Sequence, residues 1–154
     1  MNWKIPLADI DFGAEELSAL QDVLQSRGLT MGAITQKFEK LMAEYLDVKH
    51  AIAVTNATAG LHLACRAINL GSGDEVILPS LTFIATANAL LYTRATPVFA
   101  DITSEQNLNV SLKSLKHNLT QNTRAIIVVH YAGYACDMEK INEFARVNNL
   151  AVIE

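Results

Sequence analysis

A run of small and hydroxyl-bearing residues, TNATAG at 55–60, lies between an apolar stretch and a predicted helix. In α/β proteins ligands bind where strands end and helices begin, and the amino end of a helix offers unpaired N–H groups to a phosphate. Small residues at Ala57, Ala59 and Gly60 let a phosphate approach the backbone, and the Thr58 hydroxyl, or that of the threonine opening the run, adds a donor. The alternative is that the threonine and asparagine side chains only cap the helix.

Two further residues follow predicted strands and have side chains suited to a cofactor. Phe83, in the segment PSLTF at 79–83, can stack on a planar group, although a lone phenylalanine is more often part of the core. His130 can serve as an acid, a base or a hydrogen-bond donor. It is equally well interpreted as a histidine whose nitrogens are satisfied by the backbone.

Several other chemistries lack their sequence signatures. The chain has neither GxGxxG nor GxxxxGK[ST], so an unrelated nucleotide-binding domain is disfavoured, and tight NAD or ATP binding would be needed to revive it. Cys65 and Cys136 are far apart and form no CxxC pair, which predicts neither a metal site nor a disulfide framework. None of the seven lysines follows a predicted strand at the ligand-facing edge, and we interpret them as solvated surface charges.

The elements that must position these residues alternate along the chain. Short apolar runs predict strands at Ala51–Val54, Val76–Leu78, Pro97–Ala100, Ala125–Val129 and Leu150–Ile153. Helical spacing separates the strands at 61–68, 84–91, 112–119 and 138–145, and Asp137 is placed to cap the last of these helices. Two more helices precede the first strand, at 15–27 with Gly28 as a C-terminal cap and at 34–46. This alternation predicts an α/β fold with a largely parallel sheet, buried on both faces.

Composition excludes several partners. The 154 residues carry 12 basic and 16 acidic side chains, a net charge of −4, which gives no footprint for nucleic acid. The segment 76–93 has 18 residues without a charge, but it divides into strand, loop and helix, so we predict no membrane span. Asp9 and Asp11 interrupt any apolar leader, and the two cysteines suit a reducing compartment; we expect a cytoplasmic protein.

Taken in order, these segments resemble the DegT/DnrJ/EryC1/StrS family of sugar aminotransferases, which are pyridoxal-phosphate (PLP) enzymes of fold type I. The resemblance covers nearly the whole chain, through IPL, SRGLTMG, AVTNATAGLHLA, GSGDEVILPSLTFIATANAL, ATPVFADI, VVHYAG and LAVIE. It implies a three-layer α/β/α fold with a mostly parallel sheet, the N-terminal part of the family's large domain. Residues 1–50 would form a helical arm with an active-site loop, and residues 51–154 an incomplete cofactor-binding domain.

The resemblance also implies roles for the residues singled out above. Thr58 and Ala59 match the positions that hold the cofactor phosphate, with Ala57 beside them. Phe83 matches the aromatic residue that stacks on the pyridine ring, and His130 falls in a segment close to the cofactor. A dianionic phosphate suits a helix amino end, and a flat cationic ring suits an aromatic face.

Substrate contact and catalysis are implied less completely. Thr30, in the loop 28–32, resembles a polar substrate contact near a dimer interface. The family's ring-nitrogen aspartate would follow Glu154 directly, and its Schiff-base lysine lies further along, so no catalytic residue is assigned within this chain.

The activity implied is transamination of a nucleotide-linked keto-sugar, with glutamate as the amino donor. We expect the chain to be the N-terminal part of such an enzyme, to bind PLP weakly or not at all, and to be inactive alone. We also expect a homodimer or pairing with another chain. The alternative is a truncated, non-catalytic binding or pairing module derived from the same family.

Overall fold

The computed structural model describes residues 10–28 and 30–154, and the chain divides into two compact units, Met1–Ala53 and Val54–Glu154. Within the described residues no helix is long and apolar enough to cross a membrane. The uncharged segment 76–93 is a strand followed by a turn and a helix, as predicted.

The described part of the first unit contains two helices, α1 at Ala14–Ser26 and α2 at Ala33–Tyr45, which confirms both helices predicted in this part of the chain. The Glu16 carboxylate accepts the Gly13 N–H at 2.7 Å and closes the start of α1. The end of α1 differs from the prediction, because Arg27 rather than Gly28 adopts the left-handed cap, with φ of 55°. The N–H of Arg27 donates to the carbonyl of Leu24, which satisfies one terminal carbonyl without glycine.

The second unit is built on a sheet of four strands: β1 at Glu75–Pro79, β2 at Thr96–Ala100, β5 at Thr123–Ile127 and β6 at Ala151–Ile153. Their order in the sheet is β2-β1-β5-β6, and every adjacent pair is parallel. The helices between them are α3 at Ala57–Ala67, α4 at Ala85–Thr93, α5 at Leu112–His117 and α6 at Met138–Val147. A hairpin, β3 at Ile102–Ser104 with β4 at Asn107–Val110, is inserted between β2 and α5.

The central strands are buried on both faces, which follows from their unbroken apolar sequences. Val76 and Leu78 pack with Cys65 and Leu90 from α3 and α4. Ile77 points to the opposite face, where it joins a second core cluster that includes Leu115, Ile126 and Ile141. Successive strand residues therefore serve two separate cores, and the result is the expected three-layer α/β/α architecture.

One predicted strand is wrong. The run Ala51–Val54 is irregular, and Ile52 is 76% exposed. An apolar run becomes a strand only where a neighbouring strand accepts its hydrogen bonds, and none of the described strands pairs with this run. Among the described residues, the hydrogen bond of this run goes to a side chain instead: the Ala53 N–H donates to the Glu39 carboxylate at 2.8 Å.

The hairpin β3–β4 was not predicted from the sequence. Its strands are only three and four residues long, too short to show a clear alternation. The turn is held by the Ser104 hydroxyl, which accepts the N–H groups of Gln106 and Asn107.

Candidate functional site

The carboxyl edge of the sheet gathers the residues that follow its strands. β1 and β5 are parallel neighbours, so the segments after them begin at the same edge. The sheet pairing continues past the strand ends, because the Ser80 N–H donates to the Ala100 carbonyl at 2.9 Å and the Val128 N–H to the Ile153 carbonyl at 2.8 Å. The turn that carries Phe83 leaves this edge from β1.

The amino end of α3 supplies unpaired donors. Asn56 is the N-cap residue, and its side chain accepts the Ala59 N–H at 2.9 Å. Among the described residues, nothing accepts a hydrogen bond from the backbone N–H groups of Ala57 and Thr58 or pairs with the Thr58 hydroxyl. The capping interpretation is thus confirmed for Asn56. It leaves the amides of Ala57 and Thr58 and the Thr58 hydroxyl free for a phosphate, while the Ala59 amide is already engaged.

The side chain of Phe83 is 76% exposed, so the interpretation of Phe83 as a core residue is wrong. The turn that presents it is well anchored. The Phe83 carbonyl accepts the Thr86 N–H at 3.1 Å, and the Thr86 hydroxyl, which is buried, lies 2.8 Å from the Thr82 hydroxyl. A large aromatic face is therefore held in solvent by a fixed backbone, which suits stacking on a planar ligand.

His130 is half-buried at the same edge, and its two ring nitrogens have different partners. The Cys136 N–H donates to Nδ1 at 3.1 Å, and Nε2 lies 3.3 Å from the Glu154 carboxylate. A nitrogen that accepts an N–H carries no proton, so the neutral ring has its proton on Nε2. The backbone satisfies Nδ1 only, and Nε2 faces the Glu154 carboxylate at the edge of the sheet.

The segment 130–136 is shaped by a residue that the sequence did not single out. Asn109 in β4 is buried, and its amide forms hydrogen bonds to the backbone of Tyr131, Tyr134 and Ala135. These contacts cross 22 to 26 positions of sequence, and no local pattern signals them.

Cys136 also fixes this segment. Its Sγ donates to the Val129 carbonyl at 3.3 Å, and burial raises the pKa of its thiol. The raised pKa keeps the sulfur protonated at neutral pH, which suits a donor rather than a nucleophile. Within residues 10–28 and 30–154 no group of three or more His, Cys, Asp or Glu side chains is placed to hold a metal ion.

Thr30 belongs to the first unit, where it is exposed in the turn between α1 and α2. It lines a recess within this unit together with Val23, Ser26, Met31 and Thr35. Its contact with a substrate stays a prediction.

Among the described residues, no lysine directly follows a strand of the four-stranded sheet at its ligand-facing edge. The lysines lie in α2, between α2 and α3, in α5 and in α6, at Lys37, Lys40, Lys49, Lys113, Lys116 and Lys140. Lys140 is paired with Asp137 at 2.5 Å on the surface of α6. Lys4 lies outside the described residues.

Comparison with known proteins identifies relatives over almost the whole chain. The model of the DegT/DnrJ/EryC1/StrS aminotransferase family matches residues 11–154. GDP-perosamine synthase of Escherichia coli O157:H7 is 41% identical over 151 residues, which are 97% of this chain and 41% of that protein. The chain spans between 33% and 41% of the length of the curated relatives it matches.

Solved structures give the same result for the fold. The aminotransferase from Psychrobacter cryohalolentis matches with a TM-score of 0.87 and 39% identity, over 92% of this chain and 36% of that one. NtdA from Bacillus subtilis, solved with bound cofactor PMP, matches with a TM-score of 0.84 and 31% identity, over 88% of this chain and 31% of that one.

Proposed function

This chain belongs to the DegT/DnrJ/EryC1/StrS aminotransferase family, and on that premise we propose that it supplies the phosphate-binding and ring-contacting part of a PLP site. The proposed reaction is amino transfer to a nucleotide-linked keto-sugar, with glutamate as the donor. The observation that carries the proposal is the pair of unpartnered amides at Ala57 and Thr58, which open a helix beside the Thr58 hydroxyl.

The donor set at α3 fits a phosphate better than it fits a neutral ligand. Two N–H groups and one hydroxyl lie at the amino end of an 11-residue helix, where the positive end of the helix dipole stabilises anions. The proposed contacts are the amides of Ala57 and Thr58 and the Thr58 hydroxyl. The Ala59 amide joins them only if Asn56 releases it.

Phe83 and His130 are the proposed contacts of the cofactor ring. The exposed Phe83 ring would cover one face of the pyridine and exclude water from it. His130 would donate from Nε2, because its Nδ1 is held as an acceptor, and the Glu154 carboxylate 3.3 Å from Nε2 would have to release that nitrogen. When bound, PLP supplies an electron-withdrawing ring that stabilises negative charge at the carbon bearing the amino group.

The chain covers about a third of its relatives' length, and none of the described lysines follows a sheet strand. We therefore propose that transamination requires groups outside these residues and that the chain alone is inactive. We further propose that residues 1–50 form an active-site arm with Thr30 as a substrate contact, that the protein pairs with a second chain, and that it is cytoplasmic.

A second candidate is a non-catalytic binding or pairing module. Two observations favour it. The amides of Ala57 and Thr58 are free to bind a phosphate, and none of the described lysines lies at the end of a sheet strand. Such a module would bind phosphate compounds weakly and would pair with a full-length relative.

The test is an NMR titration of the ¹⁵N-labelled chain with PLP, with inorganic phosphate and with pyridoxal, which has no phosphate. We expect the amide signals of Ala57 and Thr58 to shift with PLP and phosphate and to respond much less to pyridoxal. Thr58→Val should weaken the response several-fold, whereas Thr96→Val, which removes an exposed hydroxyl at the start of β2, should leave it unchanged. Unmoved amides, or tight binding of NAD or ATP instead, would overturn the proposal.

Activity and pairing separate the two candidates. A spectrophotometric transaminase assay with glutamate should give no turnover for the chain alone, and a robust rate would refute that expectation. Two results together would favour the pairing module: the chain co-purifies with a full-length relative, and adding the C-terminal part of the enzyme does not restore transaminase activity.

A further inference from the structure

The side-chain amide of Asn109 makes three hydrogen bonds, all to one distant segment. Its Oδ1 accepts the Tyr131 N–H at 3.0 Å, and its Nδ2 donates to the carbonyls of Tyr134 and Ala135, each at 3.0 Å. The residue is only 7% exposed. A buried amide with three hydrogen bonds to backbone groups is a costly group to replace, because each partner would be left unsatisfied.

The segment that Asn109 holds has little regular structure of its own, a single 3₁₀ turn at Tyr131–Gly133. Ala132 and Gly133 have φ values of 52° and 83°, so two consecutive residues are left-handed. Only short turn bonds link the segment internally, from Gly133 to His130 and from Tyr134 to Tyr131. The Asn109 amide therefore replaces the partners that a helix or strand would have provided.

The same segment returns to His130. The Cys136 N–H, next to the carbonyl of Ala135 that Asn109 holds, donates to His130 Nδ1 at 3.1 Å. Asn109 also binds at Tyr131, the residue directly after the histidine. The two anchors hold both ends of the segment that connects His130 to Cys136.

Asn109 is itself fixed by the hairpin. Its carbonyl accepts the Thr103 hydroxyl at 3.0 Å, and its N–H donates to the Asn107 side chain at 3.2 Å. The hairpin thus acts as a rigid support for a segment that lies after a different strand of the main sheet.

We propose that Asn109 is a positioning residue for His130: it holds the segment 131–136 so that Cys136 occupies Nδ1 and the ring proton lies on Nε2, where the Glu154 carboxylate at 3.3 Å also accepts it. The benefit to a cofactor rests on the function proposed above, because it requires Nε2 to face the ligand. The control of the tautomer does not rest on it.

The experiment is ¹⁵N NMR of the imidazole in the full 154-residue chain at about pH 8, above the ordinary histidine pKa of about 6.5. The unsubstituted chain should show His130 as one tautomer, protonated on Nε2. Asn109→Asp keeps the acceptor for Tyr131 but places a carboxylate against two carbonyls. It is compared with its parent in a Glu154→Ala background, where no carboxylate holds the Nε2 proton, and there His130 should become a mixture of tautomers. Hydrogen exchange of the Cys136 amide should accelerate by about tenfold or more.

Asn118→Asp is the matched control, because Asn118 also donates its amide to a carbonyl, that of Phe99, away from the segment 131–136. It should leave the His130 tautomer unchanged even if it lowers stability. Asn109→Ser, which removes the two donations with less repulsion, replaces the aspartate variant if that variant does not fold.

Three results would overturn the proposal: a folded Asn109 variant with the parent tautomer and parent exchange rate, an equal tautomer change in Asn118→Asp, or an Nδ1-protonated ring in the unsubstituted chain. A failed PLP titration with the expected tautomer change would remove the proposed function and leave the role of Asn109 intact.

Discussion

The side-chain oxygen of Asn56 accepts the backbone N–H of Ala59 at 2.9 Å, within the first turn of α3. The helix cap and the proposed phosphate site therefore share one set of amides. Asn56 takes the amide that a helix needs satisfied, and the two amides before it stay free.

Substitutions at Asn56 should separate capping from phosphate binding. Asn56→Ala removes the cap and should lower the free energy of unfolding by about 1 kcal/mol, while it frees the Ala59 N–H for a phosphate. Asn56→Asp keeps the cap but places a negative charge beside the phosphate, so it should preserve stability and weaken PLP binding several-fold. Urea unfolding and the NMR titration measure the two effects; equal affinities for the two variants would contradict the shared-amide arrangement.

Phe83 and Leu90 should differ sharply in their contribution to stability. Phe83 is 76% exposed, so Phe83→Ala should change the free energy of unfolding by no more than about 0.5 kcal/mol. Leu90 in α4 is fully buried in the core beside Val76, and Leu90→Ala should cost about 2–5 kcal/mol. Urea unfolding of both variants is the measurement. A large loss of stability for Phe83→Ala would mean that the ring packs in solution and is not available for stacking.

The layers of the fold were predictable because their signals are local. The apolar residues of β1 and β5 are contiguous, and Asp137 caps α6 by accepting the Lys140 N–H, as its position before a helical stripe predicted. The run Ala51–Val54 has the same composition as the real strands, but pairing decides whether such a run becomes a strand, and pairing depends on residues elsewhere in the chain.

The candidate site was predictable only in part, for the same physical reason. The free amides of α3 follow from the position of a helix start, which sequence indicates well. The exposure of Phe83 contradicts the general tendency of aromatic residues, because the turn between β1 and α4 directs it outward. The contacts of Asn109 depend on a hairpin and a left-handed turn meeting in space, and neither has a sequence signature of sufficient length.

The two cysteine thiols should react slowly in the folded chain. Both are buried, and burial raises the pKa of each thiol, so the thiolate is scarce at neutral pH. At about pH 7.5, a chromogenic disulfide reagent should modify them about a hundredfold more slowly in buffer than in urea. Cys65→Ser isolates the signal of Cys136, and rapid reaction of that variant would show that the segment 130–136 opens readily.

The surface pair Asp137–Lys140 should give α6 a pH-dependent stability. A hydrogen bond from the Lys140 ammonium group, and then one from the Lys140 N–H, lowers the pKa of Asp137 below its usual value of 3.8. A carboxyl group with a lowered pKa in the folded state stabilises that state above its unfolded pKa, and the contribution is lost as the pH falls through the lowered value. Asp137→Asn keeps a capping oxygen but has no charge, so its thermal midpoint should lie below the parent's at neutral pH and converge with it in acid.

Lys140→Met, which removes the partner instead, should reduce the same pH dependence. A constant difference between parent and Asp137→Asn from about pH 6 to about pH 3 would show that the pair contributes no pH-linked stability.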